Sequence, residues 1–182
     1  MERRNSKETK HLNTLYAYST LSMSTIDSST IISLAKIQKL DLLKLLKTKI
    51  ETIQEVYEES VKKGIYLGYA DAIKIKKIFD EKIIMISNIR KYEEFSGVSK
   101  IDSKVISFAK EKKDYLFVDD VKLGRRAKAE NIEVRNTPDI LLHLAKTNRL
   151  SKEEFNGLLQ KLVQQKRLSL KSKKLYEEMG GL

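Results

Sequence analysis

Apolar residues along this chain fall into two kinds of run, and the two kinds alternate. Short runs bounded by charge read as buried strands: residues 24–27, 50–53, 83–86, 115–118 and 132–135. Between them apolar residues recur at helical spacing. One such stripe follows Ser28, Ser29 and Thr30 through Ile31, Leu34 and Ala35; another covers 40–46, with Lys44 and Lys47 outward. Further helices are expected over 54–63, 69–81 (through Ile73, Ile75 and Ile78), from Ser99 through Val105, Ile106 and Ala109, over 123–130, from Thr137, and over 152–165 and 170–179.

Local signals punctuate these elements. Thr52 with Glu55 and Ser151 with Glu154 have capping-box spacing, and Gly64 stands where a C-cap would end the 54–63 helix. Thr137-Pro138-Asp139 supplies an N-cap, a proline at the first helical position and an acid in the first turn. The stretch 88–98 is irregular and is expected to border the functional face. Strands alternating with helices define an α/β chain around a mainly parallel sheet. Residues 1–21 lack an apolar period and read as an N-terminal extension, 22–150 as the main domain, and 151–182 as a basic helical extension.

Composition narrows the chemistry. The chain of 182 residues has no cysteine, which excludes disulfides, a thiol nucleophile and a thiolate zinc site. Its two histidines, His11 and His143, are far apart, so a metal would rest on carboxylates, which favours Mg²⁺ or Mn²⁺. His143 lies in a leucine-rich helix and reads as a packed side chain rather than a triad member. Gly64, Gly68, Gly97, Gly124 and Gly157 stand alone, which disfavours a phosphate-cradling loop. The net charge is +11, and from Lys122 onward 14 Lys and Arg face 7 Asp and Glu, so an anionic partner is expected. No apolar run is long enough to span a membrane, and the first residues carry no continuous apolar segment of a secretory signal. A cytoplasmic protein is therefore expected.

Several acids fall where strands meet the crevice of such a sheet. Asp119 and Asp120 close the strand 115–118, and adjacent carboxylates repel unless a cation lies near them. Asp27 closes the first strand, where it serves equally well as a helix N-cap. Asp102 sits in the first turn of its helix, as a ligand or as a dipole-satisfying acid. Glu59 lies three residues beyond Val56, near the inward face of its helix, with Glu55 and Glu58 as competitors.

The order of these segments resembles the PIN domain, an RNase-H-like nuclease fold found in VapC-type toxins and RNA-processing factors. The resemblance rests on Ser24-Thr25-Ile26-Asp27-Ser28-Ser29, Val56-Tyr57-Glu58-Glu59, Ser99-Lys100-Ile101-Asp102 and Phe117-Val118-Asp119-Asp120. The following helix and strand, and Thr137-Pro138-Asp139-Ile140-Leu141-Leu142, fit as well. It implies a three-layer α/β/α fold and maps Asp27, Glu59, Asp102 and Asp120 onto the acidic quartet, with Asp119 beside them. Val118 departs from the pattern, because many relatives carry Ser or Thr there.

By this resemblance the chain is a metal-dependent endoribonuclease using Mg²⁺ or Mn²⁺. Asp27 and Asp120 would be direct ligands with Asp102 completing the site, Asp119 adjoining, and Glu59 a ligand or a water-orienting group. Ser28 and Ser29 would assist by hydrogen bonding. Lys122, Arg125, Arg126 and Lys128 follow the aspartates and would draw in RNA, extended by Arg149 and tail residues such as Arg167. The family also implies a homodimer and, in toxin pairs, an antitoxin partner. The alternative is a non-catalytic nucleic-acid-binding protein whose residues 150–179 imitate a helix-turn-helix. A receiver domain is disfavoured, since its aspartate pair would close the first strand.

Overall fold

The computed structural model describes residues 23–113 and 115–181; the expected N-terminal extension lies outside them. Strand β1 (Met23–Ile26) leads into α1 (Ser28–Lys36), then a short 3-10 helix (Leu40–Leu45) returns the chain to β2 (Lys49–Thr52). Next come α2 (Gln54–Tyr57), a π-helical turn (Glu58–Lys62), α3 (Lys63–Tyr66), α4 (Ala70–Asp80) and β3 (Ile84–Ile86). The second half runs α5 (Lys100–Lys112), β4 (Leu116–Phe117), α6 (Val121–Ala129), β5 (Val134–Arg135), α7 (Thr137–Lys146), α8 (Lys152–Gln164) and α9 (Leu170–Met179).

Among the described residues the sheet has five parallel strands in the order β3-β2-β1-β4-β5, with Ser24 beside Ile50 and Ile26 beside Phe117. The expected α/β/α architecture is therefore present. The order has a functional consequence. From β1 the chain steps to β2 and β3 on one side, then returns to place β4 on β1's other side. The carboxyl ends of β1 and β4 thus flank the point where the winding reverses, the position at which open α/β sheets form a crevice.

The apolar stripes do the packing expected of them. Ile26, Leu34, Phe108, Phe117 and Leu141 are fully enclosed. The final helices belong to the same core: Phe155, Leu158, Leu159 and Leu162 of α8 and Tyr176 of α9 are buried with the sheet residues. His143 is buried too. Burial and the charges of Arg149 and Arg135 lower its pKa to about 4, so it is a neutral packed side chain near pH 7. The segment 88–98 has no regular structure and lies along α5, where the Glu93 N–H donates to Ser107 Oγ.

Four local expectations are corrected. Thr52 does not open a capping box: its hydroxyl donates to the Ile26 carbonyl at 2.6 Å, and Ile53 takes the N-cap position without a side-chain bond. Gly64 does not end a helix. The chain stays helical to Tyr66, and Gly64 lies against α4, where a Cβ would stand 2.7 Å from that of Ala72. The N-cap of α7 is Asn136, one residue earlier than expected, in a reciprocal capping box with Asp139. On α4 the buried side is Ala72, Ile75, Ile78 and Phe79, while Ile73 faces outward.

Candidate active site

Asp27 leaves the end of β1 and turns the chain into α1. One carboxylate oxygen accepts the Ser29 N–H at 3.0 Å and the Ser29 hydroxyl at 2.5 Å, which is an N-cap. That hydroxyl also accepts the backbone N–H groups of Asp119, at 2.9 Å, and Asp120, at 3.2 Å. Ser29 therefore ties the end of β1 to the end of β4 and sets Asp27 beside the aspartate pair. Ser28 makes the second link, donating to Glu59 Oε2 at 2.9 Å.

The three glutamates of α2 and the π turn separate cleanly. Glu55 pairs with Lys104 of α5. Glu58 accepts from Gln54 and Lys62 on the exposed side. Glu59 turns to Ser28, and its charge acts on Asp27. Asp27 is 5% exposed, and burial first, then Glu59, raise its pKa to about 6 against the opposing bonds from Ser29. Among the described residues neither Asp27 nor Glu59 is paired with a lysine or arginine.

The other acids are placed differently. Asp119 accepts the Thr137 N–H and hydroxyl, both at 2.7 Å, and so fastens β4 to the start of α7; burial raises its pKa despite those bonds and the nearby Arg167 charge. Asp120 Oδ1 accepts the Leu123 N–H at 2.7 Å and caps α6. Asp102 shares a capping box with Ser99 at the start of α5. Glu59 and Asp120 are thus connected to Asp27 through Ser28 and Ser29, whereas Asp102 has no such link. Val118 is buried, 3.6 Å from a Cβ built on Gly124.

Among the described residues no three His, Cys, Asp or Glu side chains form a group that could hold an ion. Among the described residues Asp27 and Glu59, like Asp120, make no ion pair, and one or two carboxylates suit an ion such as Mg²⁺, which keeps several waters.

The basic residues divide as well. Lys122, Arg125 and Lys128 are exposed on α6. Arg126 folds back, its guanidinium 5.3 Å from the Phe95 ring centroid and 2.6 Å from Glu130. Arg149 bonds to the Leu45 carbonyl. Sequence reading missed Thr137 as the partner of Asp119, for which an exposed-looking helix start gave no signal. It also missed Lys36, Lys63 and Tyr69, which line a cleft beside Glu59; the four-residue spacing of Glu59 and Lys63 was the available hint.

Acids at the ends of β1 and β4, where a five-stranded parallel sheet reverses its winding, put the candidate site in the crevice of an open α/β fold. The family model described as a PIN domain matches residues 23–179, and the chain belongs to the PIN domain family. No curated protein and no solved structure matches the chain. PIN domains are generally nucleases that act on nucleic acids with divalent metal ions. The match includes α8 and α9, in keeping with their place in the common core. Among the described residues no helix is long and apolar enough to cross a membrane.

Proposed function

We propose that this protein is a metal-dependent endoribonuclease. The observation that carries the reading is the buried Asp27 carboxylate at the switch point, pressed by Glu59 and lacking a cationic partner among the described residues. Asp27 and Asp120, joined through Ser29, would hold a Mg²⁺ or Mn²⁺ ion, with Glu59 as a further ligand or as the group orienting the attacking water; Asp102, tied to Ser99 at the start of α5, stays outside this set. The chemistry such an ion supplies when bound is acidification of water and neutralisation of charge at the phosphate. Ser28 and Ser29 hold Glu59 and Asp27 in place, and Lys122, Arg125 and Lys128 attract the RNA backbone.

Cleavage of a labelled single-stranded RNA with Mn²⁺ or Mg²⁺, and none with EDTA, is the expected result. Asp27→Asn and Asp120→Asn should each lower the rate by roughly 100-fold or more, since even groups that merely support a metal ligand contribute 10- to 100-fold. Undiminished cleavage by either variant overturns the assignment.

A second reading, a nucleic-acid-binding protein without catalysis, has its own support: Asp120 is the N-cap of α6, Asp102 is the first-turn partner of the Ser99 cap, and Val118 offers no hydroxyl. It predicts salt-sensitive RNA binding with no cleavage under either metal.

A further inference from the structure

Next to Glu59 the surface opens into a cleft of about 520 Å³, between the end of α1, the π turn, α3 and the start of α4. This lies within the size range of small-ligand sites, roughly 300–1,000 Å³. Ile32, Ala72 and Ile75 give it apolar walls, and Gly64 lines it where α3 packs so tightly on α4 that a Cβ at 64 would stand 2.7 Å from that of Ala72. Tyr69 stands at the mouth, 55% exposed, with Lys36 Nζ 5.8 Å from its ring centroid. Lys36 is itself held by Asp71 at 3.0 Å. Lys63 and Arg167 line the rim as exposed cations, and the Arg167 charge also acts on Asp119.

We infer that this cleft is a nucleotide subsite, in which one unpaired base of a single-stranded RNA stacks on Tyr69 while Lys63 and Arg167 take the adjoining phosphates. The inference rests on the nuclease reading and names the substrate form that the same site accepts. An aromatic face with an apolar floor accepts any base, because every base has a π face, and cations beside it track the backbone. A duplex keeps its bases stacked internally and offers none to such a pocket.

The test uses fluorescein-labelled oligouridylate, which has little self-structure, and a blunt RNA duplex of the same length. Binding to the full chain is followed by anisotropy in EDTA, so that no cleavage intervenes. The single strand should bind more tightly. Tyr69→Ala should weaken single-strand binding roughly 5- to 150-fold, the range carried by stacking on one ring, and leave the duplex unaffected. Tyr69→Phe should restore binding. Lys63→Ala and Arg167→Ala should each reduce the salt slope of single-strand binding by about 0.7. Equal affinity for the two RNAs, or no effect of Tyr69→Ala, overturns the inference. So does a Tyr69→Ala variant that binds RNA normally but turns a dimer into a monomer by light scattering, since the patch is then a protein contact. Stacking-dependent binding without cleavage under Mn²⁺ or Mg²⁺ removes the nuclease reading alone; cleavage with Tyr69→Ala fully competent removes the cleft assignment alone.

Discussion

At the scale of single residues, Asp27 links stability to pH. Its folded-state pKa, about 6, lies above the ordinary 3.8, so the folded chain binds its proton more readily than the unfolded chain. The sign follows: stability from this group is fully present below pH 4 and is lost as pH rises through 6. A tenfold change in proton affinity corresponds to about 1.36 kcal/mol, so keeping Asp27 ionised in the folded chain costs roughly 3 kcal/mol without metal. Buried His143, with its pKa lowered to about 4, works the opposite way, losing stability as pH falls from 6.5. A single pH scan therefore mixes the two, and the difference between variants isolates Asp27. In EDTA, Asp27→Asn should unfold at higher urea concentration than the parent at pH 7.5, and the gap should close near pH 4. A gap independent of pH would contradict the assignment.

At the scale of elements, two helical glycines make opposite predictions. Gly64 on α3 has no room for a methyl group against Ala72, so Gly64→Ala should destabilise by about 1–3 kcal/mol through overpacking. On α6 a Cβ at Gly124 would meet Val118 and Val134 at 3.6 Å, an ordinary contact, so Gly124→Ala should stabilise by roughly 0.5–1 kcal/mol. Urea denaturation of both variants reads the signs. The same pair shows what local sequence reveals. The strands ending in Asp27 and Asp119 were legible because short apolar runs stop at charge, and the α8 cap was legible because Ser151 and Glu154 satisfy each other within four residues. Gly64 was not, because its reason is Ala72 across a turn. Nor was Thr52, whose hydroxyl is taken by the neighbouring strand. For the acids, sequence placed Asp27 and the aspartate pair at strand ends, but the Ser29 bridge joining them depends on strand order.

At the scale of the whole molecule, the sheet order and the charge of +11 act together. The carboxylates repel a polyanion at close range, while α6 presents Lys122, Arg125 and Lys128 just beyond them. RNA affinity should therefore fall steeply with salt, with a log–log slope of about −0.7 for each phosphate neutralised on a single strand. The double variant Lys122→Ala/Arg125→Ala should flatten that slope by about 1.4, as measured by anisotropy between low and moderate salt. An unchanged slope would move the RNA path away from α6. The tail adds stability to the same body: the Tyr176 hydroxyl on α9 donates to Asp139 at 2.7 Å and lies 3.1 Å from the Asn136 side chain, within the capping box of α7.

The π-helical turn at Glu58–Lys62 divides one helical rod into two registers. Such a turn amounts to one surplus residue wound into an α-helix, and each residue of an α-helix advances the chain by about 100°. Excising one position there would let the rod rewind as a regular α-helix with α2 and α3 keeping their faces, whereas the same excision inside α2 or α3 would turn everything after it by about 100°. The turn is thus the place in this rod where the chain can lose a residue with least disturbance to the pocket wall or to the strand ends that carry Asp27 and Asp120.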